Sequence, residues 1–270
     1  MKILLNKNDL NEALNDVSNL GFVPTMGSLH KGHVSLIKRC KKECQKIIVS
    51  IFVNPNQFNS KKDYRNYPRN KKKDLSILRK LKVNYVYLPN KKDVYYFDRK
   101  PKIRLNKEDK ILCAKYRKGH FEGVIDVMDR LTNLIKPKKI FMGEKDFQQL
   151  YLVKRYIHKK YETKIITCKT IRDGNKLALS SRNFLLNKNE LYKAGKLTNN
   201  VILFKKKLTK NKKISQLLKN KKKELIKKFN VNIQYFELRN KINLKISNRI
   251  KNSKIFIAYF INNVRLIDNF

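Results

Sequence analysis

Short apolar runs alternate along the chain with longer stretches whose apolar residues recur at helical spacing. After a polar, helical lead-in over residues 8–20, Gly21-Phe22-Val23-Pro24 predicts a buried strand that stops at a turn. Helical spacing follows over residues 34–44. Lys46-Ile47-Ile48-Val49-Ser50-Ile51-Phe52-Val53 is the clearest strand, a nearly continuous apolar run closed by Asn54-Pro55, as expected of a parallel strand covered on both faces. The alternation continues with a helix over 74–82, a strand over 83–88 closed by Pro89, and a helix over 124–135 closed by Pro137. A strand over 140–142, a helix over 147–159 and a strand over 164–167 complete the pattern. The predicted fold class is α/β, a Rossmann-like open parallel sheet with helices on both faces, and ligands are expected at the carboxyl ends of its strands.

Past Asn183 the texture changes. Lysine-laden helical segments over 190–208 and 214–229 precede strand-like runs over 231–236, 254–260 and 264–268. This predicts two domains, 1–176 Rossmann-like and 177–270 a smaller C-terminal α+β domain. No internal repeat is visible, and short runs such as Lys221-Lys222-Lys223 read as solvated helix face.

Composition changes this picture in one respect. Of 270 residues, 65 are Lys or Arg and 21 Asp or Glu, a formal net charge of +44, while hydrophobic residues make up 41%, ample for a folded core. A basic nucleic-acid binder would gather its lysines on one face with interleaved aromatics. Here they are dispersed through the whole chain, so solvated surface is the simpler reading and no specific nucleic-acid partner is expected. The four cysteines form no C-x-x-C pair, and Cys40 and Cys44 share one helix face, which points to free thiols. The N-terminal apolar run is too short for a secretory segment, and nowhere do about 18 apolar residues run uninterrupted. A cytoplasmic protein without a membrane partner is expected.

The strongest chemical signal is Pro24-Thr25-Met26-Gly27-Ser28-Leu29-His30-Lys31-Gly32-His33, at the junction of the first strand and the first long helix. Two imidazoles three residues apart at a helix start point the same way, Gly32 lets a phosphate approach the backbone, and the helix N-terminus offers free N–H donors. That is a triphosphate cradle in the style of H-x-G-H nucleotidyltransferases; surface histidines beside a glycine turn are the plainer alternative. A second constellation, Gly143-Glu144-Lys145-Asp146-Phe147-Gln148-Gln149, sits at another strand-to-helix junction, where Lys145 offers a cation and Asp146 could bind a ribose hydroxyl or cap the helix. Leu179-Ser180-Ser181-Arg182-Asn183 places two hydroxyls and a guanidinium at the domain boundary, or forms an ordinary N-cap. Weaker signals are Asn54 and Gln57 after the second strand, and Arg117 to Val124 opening a helix. Neutral amides suit a small polar substrate.

In this order the motifs resemble the pantothenate synthetase, or pantoate-β-alanine ligase, family. The matching stretches are Val23–Gly27, His30-x-Gly32-His33, Ser50–Phe58, Tyr67-Pro68-Arg69, Gly119-His120-Phe121, Gly143–Gln149, Leu179–Asn183 and Arg265–Asn269. The resemblance is almost unbroken from Gly21 to Asn183; residues 190–260 carry no motif.

The resemblance implies an ATP- and Mg²⁺-dependent ligase that adenylates the carboxylate of (R)-pantoate and passes the acyl group to β-alanine, giving pantothenate, AMP and pyrophosphate. It makes 1–176 the ATP- and pantoate-binding domain and 177–270 a lid. His33, as proton donor, His30 and Lys145 would be catalytic. ATP would be lined by Met26, Gly27, Ser28, Leu29, His30, Lys31, Gly32, His33, Gly143, Glu144, Lys145, Asp146, Ile171, Leu179, Ser180, Ser181 and Arg182. Gln57 would hold pantoate and β-alanine and Gln149 pantoate, with Asn54, Arg117 and His120 in supporting positions. Asp74 is the one candidate metal ligand, the acidic pair of some members being reduced to Lys73-Asp74; otherwise ATP phosphates and water would hold the metal. The family also implies a homodimer. Lys176 stands where members carry glycine, and Gly174 is expected to take over the turn. Other H-x-G-H nucleotidyltransferases would lack the paired glutamines Gln57 and Gln149, and a class I tRNA synthetase would need an anticodon-binding region that 270 residues leave little room for.

Overall fold

The computed structural model describes residues 1–97, 103–208 and 213–270. By its internal contacts the chain divides into two units, Met1–Thr170 and Ile171–Phe270.

In the first unit, strands β1 (Lys2–Leu4), β2 (Leu20–Thr25), β3 (Lys46–Ile51), β4 (Tyr85–Tyr87), β5 (Lys139–Gly143) and β6 (Lys164–Cys168) form one sheet. Its order is β1-β4-β3-β2-β5-β6, and every pairing is parallel. Parallel neighbours need crossovers. These contain α1 (Lys7–Leu14), α2 (Lys31–Glu43), α3 (Lys61–Asn66), α4 (Lys71–Lys80), α5 (Lys91–Val94), α6 (Leu112–Tyr116), α7 (His120–Ile135) and α8 (Phe147–Ile157). The central strands are apolar on both faces because both are covered. Val23, Val49, Val86 and Phe141 pack with Leu36, Ile37 and Cys40 of α2 and Leu78 of α4, while their neighbours Phe22, Ile48 and Ile140 are equally buried on the opposite face. From β2 the chain moves outward through β3 and β4, then returns to lay β5 and β6 on the other side of β2. The carboxyl ends of β2 and β5 are therefore the point where the strand order reverses, and a crevice opens there in such sheets.

The expected elements are present, with shifts at their ends. Helix α2 begins at Lys31 rather than Val34 because His30 caps it, and α7 begins at His120 rather than Val124, behind Gly119 with φ +79°. Helix α1 stops at Leu14, and Leu20 already belongs to β2. Strand β1 was not anticipated: at three residues it is too short to show a period, and pairing with β4 at the sheet edge defines it.

In the second unit, α9 (Lys188–Lys207) and α10 (Ile214–Phe229) join an antiparallel sheet of β7 (Asn232–Asn240), β8 (Ser253–Ile261) and β9 (Val264–Asn269). Leu197, Val201, Leu225, Leu238, Ile255 and Ile257 are among its buried core. The Arg172 guanidinium donates to both oxygens of Asp268 at 2.6 and 2.9 Å and lies over the Phe270 ring, which ties the start of the unit to its last strand.

The turn at Asp173 to Lys176 departs from expectation. Lys176 N–H donates to Asp173 O at 3.0 Å, and Lys176 itself adopts φ +71°, whereas Gly174 does not enter the left-handed region. The turn has stayed in place and a lysine occupies its glycine position at a steric cost. Lys176→Gly is expected to raise the unfolding free energy by up to about 1 kcal/mol in a denaturant titration, relief of strain outweighing glycine's extra unfolded-state freedom; an unchanged or lowered midpoint would contradict this.

Candidate active site

The loop from β2 into α2 is fixed from beneath. Thr25 Oγ1 donates to Ser50 O at 2.7 Å and accepts Gly27 N–H at 3.1 Å. Gly27 and Ser28 then take consecutive left-handed conformations, φ +79° and +53°. What makes this tolerable at Ser28 is Asp74 of α4. Only 1% exposed, its Oδ2 accepts Ser28 N–H at 2.8 Å and its Oδ1 accepts Leu29 N–H at 2.7 Å. Asp74, the candidate metal ligand, thus commits each carboxylate oxygen to a loop amide. Among the described residues no group of three or more His, Cys, Asp or Glu could hold a metal.

The loop ends in the two imidazoles. His30, the N-cap of α2, accepts Gly32 N–H on Nδ1 at 3.1 Å, and His33 Nδ1 accepts the backbone N–H of His30 at 3.3 Å. Each ring therefore uses Nδ1 as acceptor, so in the neutral form its proton lies on Nε2. Burial, and then the Lys145 ammonium, lower the His30 pKa to about 4, with Asp146 opposing. Burial, then His30 and Lys145, lower that of His33 to about 3. With ring centroids 4.1 Å apart, both are neutral hydrogen-bond donors at neutral pH, and Lys145 supplies the positive charge.

A second wall comes from the turn after β3. Asn54 caps the single turn Pro55–Gln57 and is 1% exposed. Its Oδ1 accepts Asn56 N–H at 3.2 Å, and its Nδ2 donates to Gly123 O at 3.2 Å. Gly123 is needed here because an added Cβ would lie 2.2 Å from Asn56 O. His120, at the start of α7, has Nδ1 2.6 Å from Gln57 O and Nε2 2.7 Å from Arg117 Nη1. A carbonyl only accepts and a guanidinium only donates, so Nδ1 carries the His120 proton. The Gln57 amide nitrogen faces the Met26 sulfur, a weak acceptor that a ligand oxygen would readily replace.

Beyond β5, Gly143 opens the single turn Glu144–Asp146. Asp146 precedes α8 but makes no side-chain cap, and its side chain is 48% exposed, so the ribose-binding alternative keeps its carboxylate accessible. Lys145 lies 3.4 Å from it. Gln149 is half-buried in the first turn of α8. Its neighbour Gln148 turns inward and donates to Asp109 O and Ile111 O at 3.1 and 2.8 Å, bracing the segment before α6. The structure thus brings Met26 to His33, Asn54, Gln57, Arg117, His120 and Gly143 to Asp146 to the carboxyl ends of β2, β3 and β5 in the first unit. Ile171 and Leu179 to Arg182 belong to the second unit, where Ser180 Oγ accepts Arg182 N–H at 3.3 Å, Ser181 is buried, and Ile171 O accepts Leu179 N–H at 2.9 Å. From the sequence, Gly123 and Gln148 carried no role although their motifs stood out, and Tyr95 and the loop-holding role of Asp74 were missed.

A parallel α/β sheet with an anion cradle of helix N-terminus, two imidazoles and a lysine at its switch point has the form of a nucleotide-binding enzyme. The family model for pantoate-beta-alanine ligase matches residues 2–270. Pantothenate synthetase of Thermosipho africanus is 36% identical over 260 residues, 96% of this chain and 94% of that protein; the Campylobacter hominis enzyme is 38% identical, covering 100% and 99%. The crystal structure of pantothenate synthetase from Thermus thermophilus superposes with a TM-score of 0.91 at 28% identity, covering 100% of this chain and 99% of that one. Pantoate-beta-alanine ligase from Francisella tularensis, complexed with beta-gamma ATP and beta-alanine, gives 0.84 at 36% identity, covering 100% and 97%. The chain belongs to the pantoate-β-alanine ligase family.

Two outcomes follow from this geometry. Asp74→Ala should lower the unfolding free energy by about 3 kcal/mol, since two buried amides lose a charged acceptor; a change below about 0.5 kcal/mol in denaturant unfolding is the range for surface substitutions and would contradict the clamp. Because both histidine pKa values are depressed, the unfolded chain binds more protons than the folded one from pH 6.5 down to about 4 for His30 and about 3 for His33. The histidine contribution is therefore full above pH 6.5 and drains as pH falls through that window, and His30→Gln or His33→Gln should flatten that slope.

Proposed function

We propose that this chain is an ATP-dependent ligase that condenses (R)-pantoate with β-alanine to pantothenate through a pantoyl adenylate, releasing AMP and pyrophosphate. The observation that carries the reading is the switch-point site: Nε2–H donors of His30 and His33 beside Lys145, with the Gln57 donor on the adjacent wall. In the first step a pantoate carboxylate oxygen attacks the α-phosphorus of ATP and the bond to the β-phosphate oxygen breaks. Both partners are anionic, so the enzyme's task is positioning and charge stabilisation. In the second step the β-alanine amine attacks the acyl carbon, AMP leaves, and the amine loses a proton.

Lys145 pairs with the triphosphate, His30 and His33 donate from Nε2, and a bound triphosphate raises both histidine pKa values, which enables His33 to act as proton donor. Met26 to His33 and Gly143 to Asp146, with Ile171, Leu179, Ser180, Ser181 and Arg182, bind ATP, Asp146 on the ribose. Gln57 and Gln149 donate to pantoate oxygens, and Gln57 serves β-alanine afterwards. Asn54, Arg117 and His120 hold Gln57 in place. Mg²⁺ enters as the ATP complex, carried by phosphates and water, which fits the engagement of Asp74 with amides. We also assign a homodimer, testable by light scattering, and cytoplasmic residence, in keeping with four free, buried cysteines. Among the described residues no helix is long and apolar enough to cross a membrane.

The test supplies purified protein with MgATP, (R)-pantoate and β-alanine together and with each omitted. Pantothenate should form only in the complete mixture, and His33→Ala and Lys145→Ala should each lower kcat/KM by about 10²-fold or more. Pantothenate-free reactions with intact ATP would overturn the assignment.

A further inference from the structure

The orientation of the Gln57 amide decides whether the site offers a donor or an acceptor to its substrate, and a residue outside the sequence motifs described above bears on it. Tyr95, the C-cap of α5, donates its hydroxyl hydrogen to Asn54 Oδ1 at 3.0 Å. Asn54 Nδ2 in turn faces Gln57 Oε1 at 3.4 Å. With Gln57 Oε1 so engaged, its Nε2 is left pointing at Met26. The tyrosine is itself held: the Arg130 guanidinium lies 4.6 Å from its ring centroid and donates to Phe97 O at 2.9 Å and Asp126 Oδ1 at 3.1 Å. Arg130 is 5% exposed, so this anchor is set in the body of α7.

We propose that Tyr95 is a positioning residue that, through Asn54, orients the Gln57 amide so that its N–H faces a substrate oxygen. The hydroxyl proton is directed at Asn54 Oδ1, where it joins the Asn56 N–H, and these donors together with the Gly123 carbonyl that accepts from Nδ2 disfavour the flipped asparagine amide. A flipped Asn54 would present its carbonyl to Gln57 and draw the Gln57 N–H inward. The substrate group that Gln57 meets is therefore an acceptor, a carboxylate or hydroxyl oxygen. Burial pushes the Tyr95 pKa up to about 12, so the hydroxyl stays protonated across the working pH range.

The inference rests on the assignment of Gln57 to pantoate, and a double-mutant cycle separates the two. Pantoate binding to the full chain is measured by calorimetry in the presence of a non-hydrolysable ATP analogue, for wild type, Tyr95→Phe, Gln57→Ala and the double variant. Tyr95→Phe keeps the ring over Arg130 and removes only the hydroxyl. It should weaken pantoate binding about three- to tenfold, the range for one neutral hydrogen bond, while analogue affinity and melting temperature hold. In the Gln57→Ala background the same change should have no further effect. Equal pantoate affinity in Tyr95→Phe and wild type, or full additivity with Gln57→Ala, overturns the positioning role. If Gln57→Ala itself binds pantoate normally, the pantoate assignment fails first and the inference falls with it.

Discussion

The buried carboxylate of Asp74 against the amides of Ser28 and Leu29 is the contact on which the rest of the site depends. Without an acceptor, two amides in a left-handed, water-poor loop would be left unpaired. With it, the chain leaves β2, turns sharply over the end of the sheet, and enters α2 with His30 as cap. The anion that stabilises the loop comes from α4, so the donors farther along, on His30, His33 and the start of α2, remain for a second anion. A carboxylate shapes the cradle that we assign to a phosphate.

The two histidines extend the same logic. A pair of imidazolium ions beside Lys145 would repel one another, and burial removes the water that could screen them. The free site therefore keeps them neutral, with backbone N–H groups fixing both tautomers. In the proposed reaction charge arrives with the nucleotide, and Lys145 and two Nε2–H donors are already in place to meet it. Preorganisation of this kind suits a reaction whose main difficulty is bringing a carboxylate to a triphosphate.

What could be read in the sequence and what could not follow from the range of the interactions. The parallel sheet was legible because Lys46 to Val53 and the runs around Phe22 and Ile140 are apolar without alternation, the mark of strands covered twice. The candidate catalytic motifs were legible because H-x-G-H and G-E-K-D carry their chemistry at fixed local spacing. The loop-holding role of Asp74, singled out only as a metal-ligand candidate, and the part played by Tyr95 were not, since their partners lie 46 and 41 residues away, and nothing near either residue announces a buried acceptor or donor. Lys176 shows the reverse error: glycine propensity pointed to Gly174, yet the hydrogen bonds around Asp173 and Leu177 held the turn in place and forced a lysine to φ +71°. The smaller unit, built from lysine-rich helices and a three-stranded sheet, has an ordinary core and no local chemistry across residues 190–260.

The proposed first step is attack of a substrate carboxylate oxygen on the α-phosphorus of ATP in this cradle. Pantoate labelled with ¹⁸O in its carboxylate, turned over with MgATP and β-alanine, tests it directly by mass spectrometry of the nucleotide. One labelled oxygen should be transferred to AMP. Label in inorganic phosphate with formation of ADP, or AMP free of label, would contradict it.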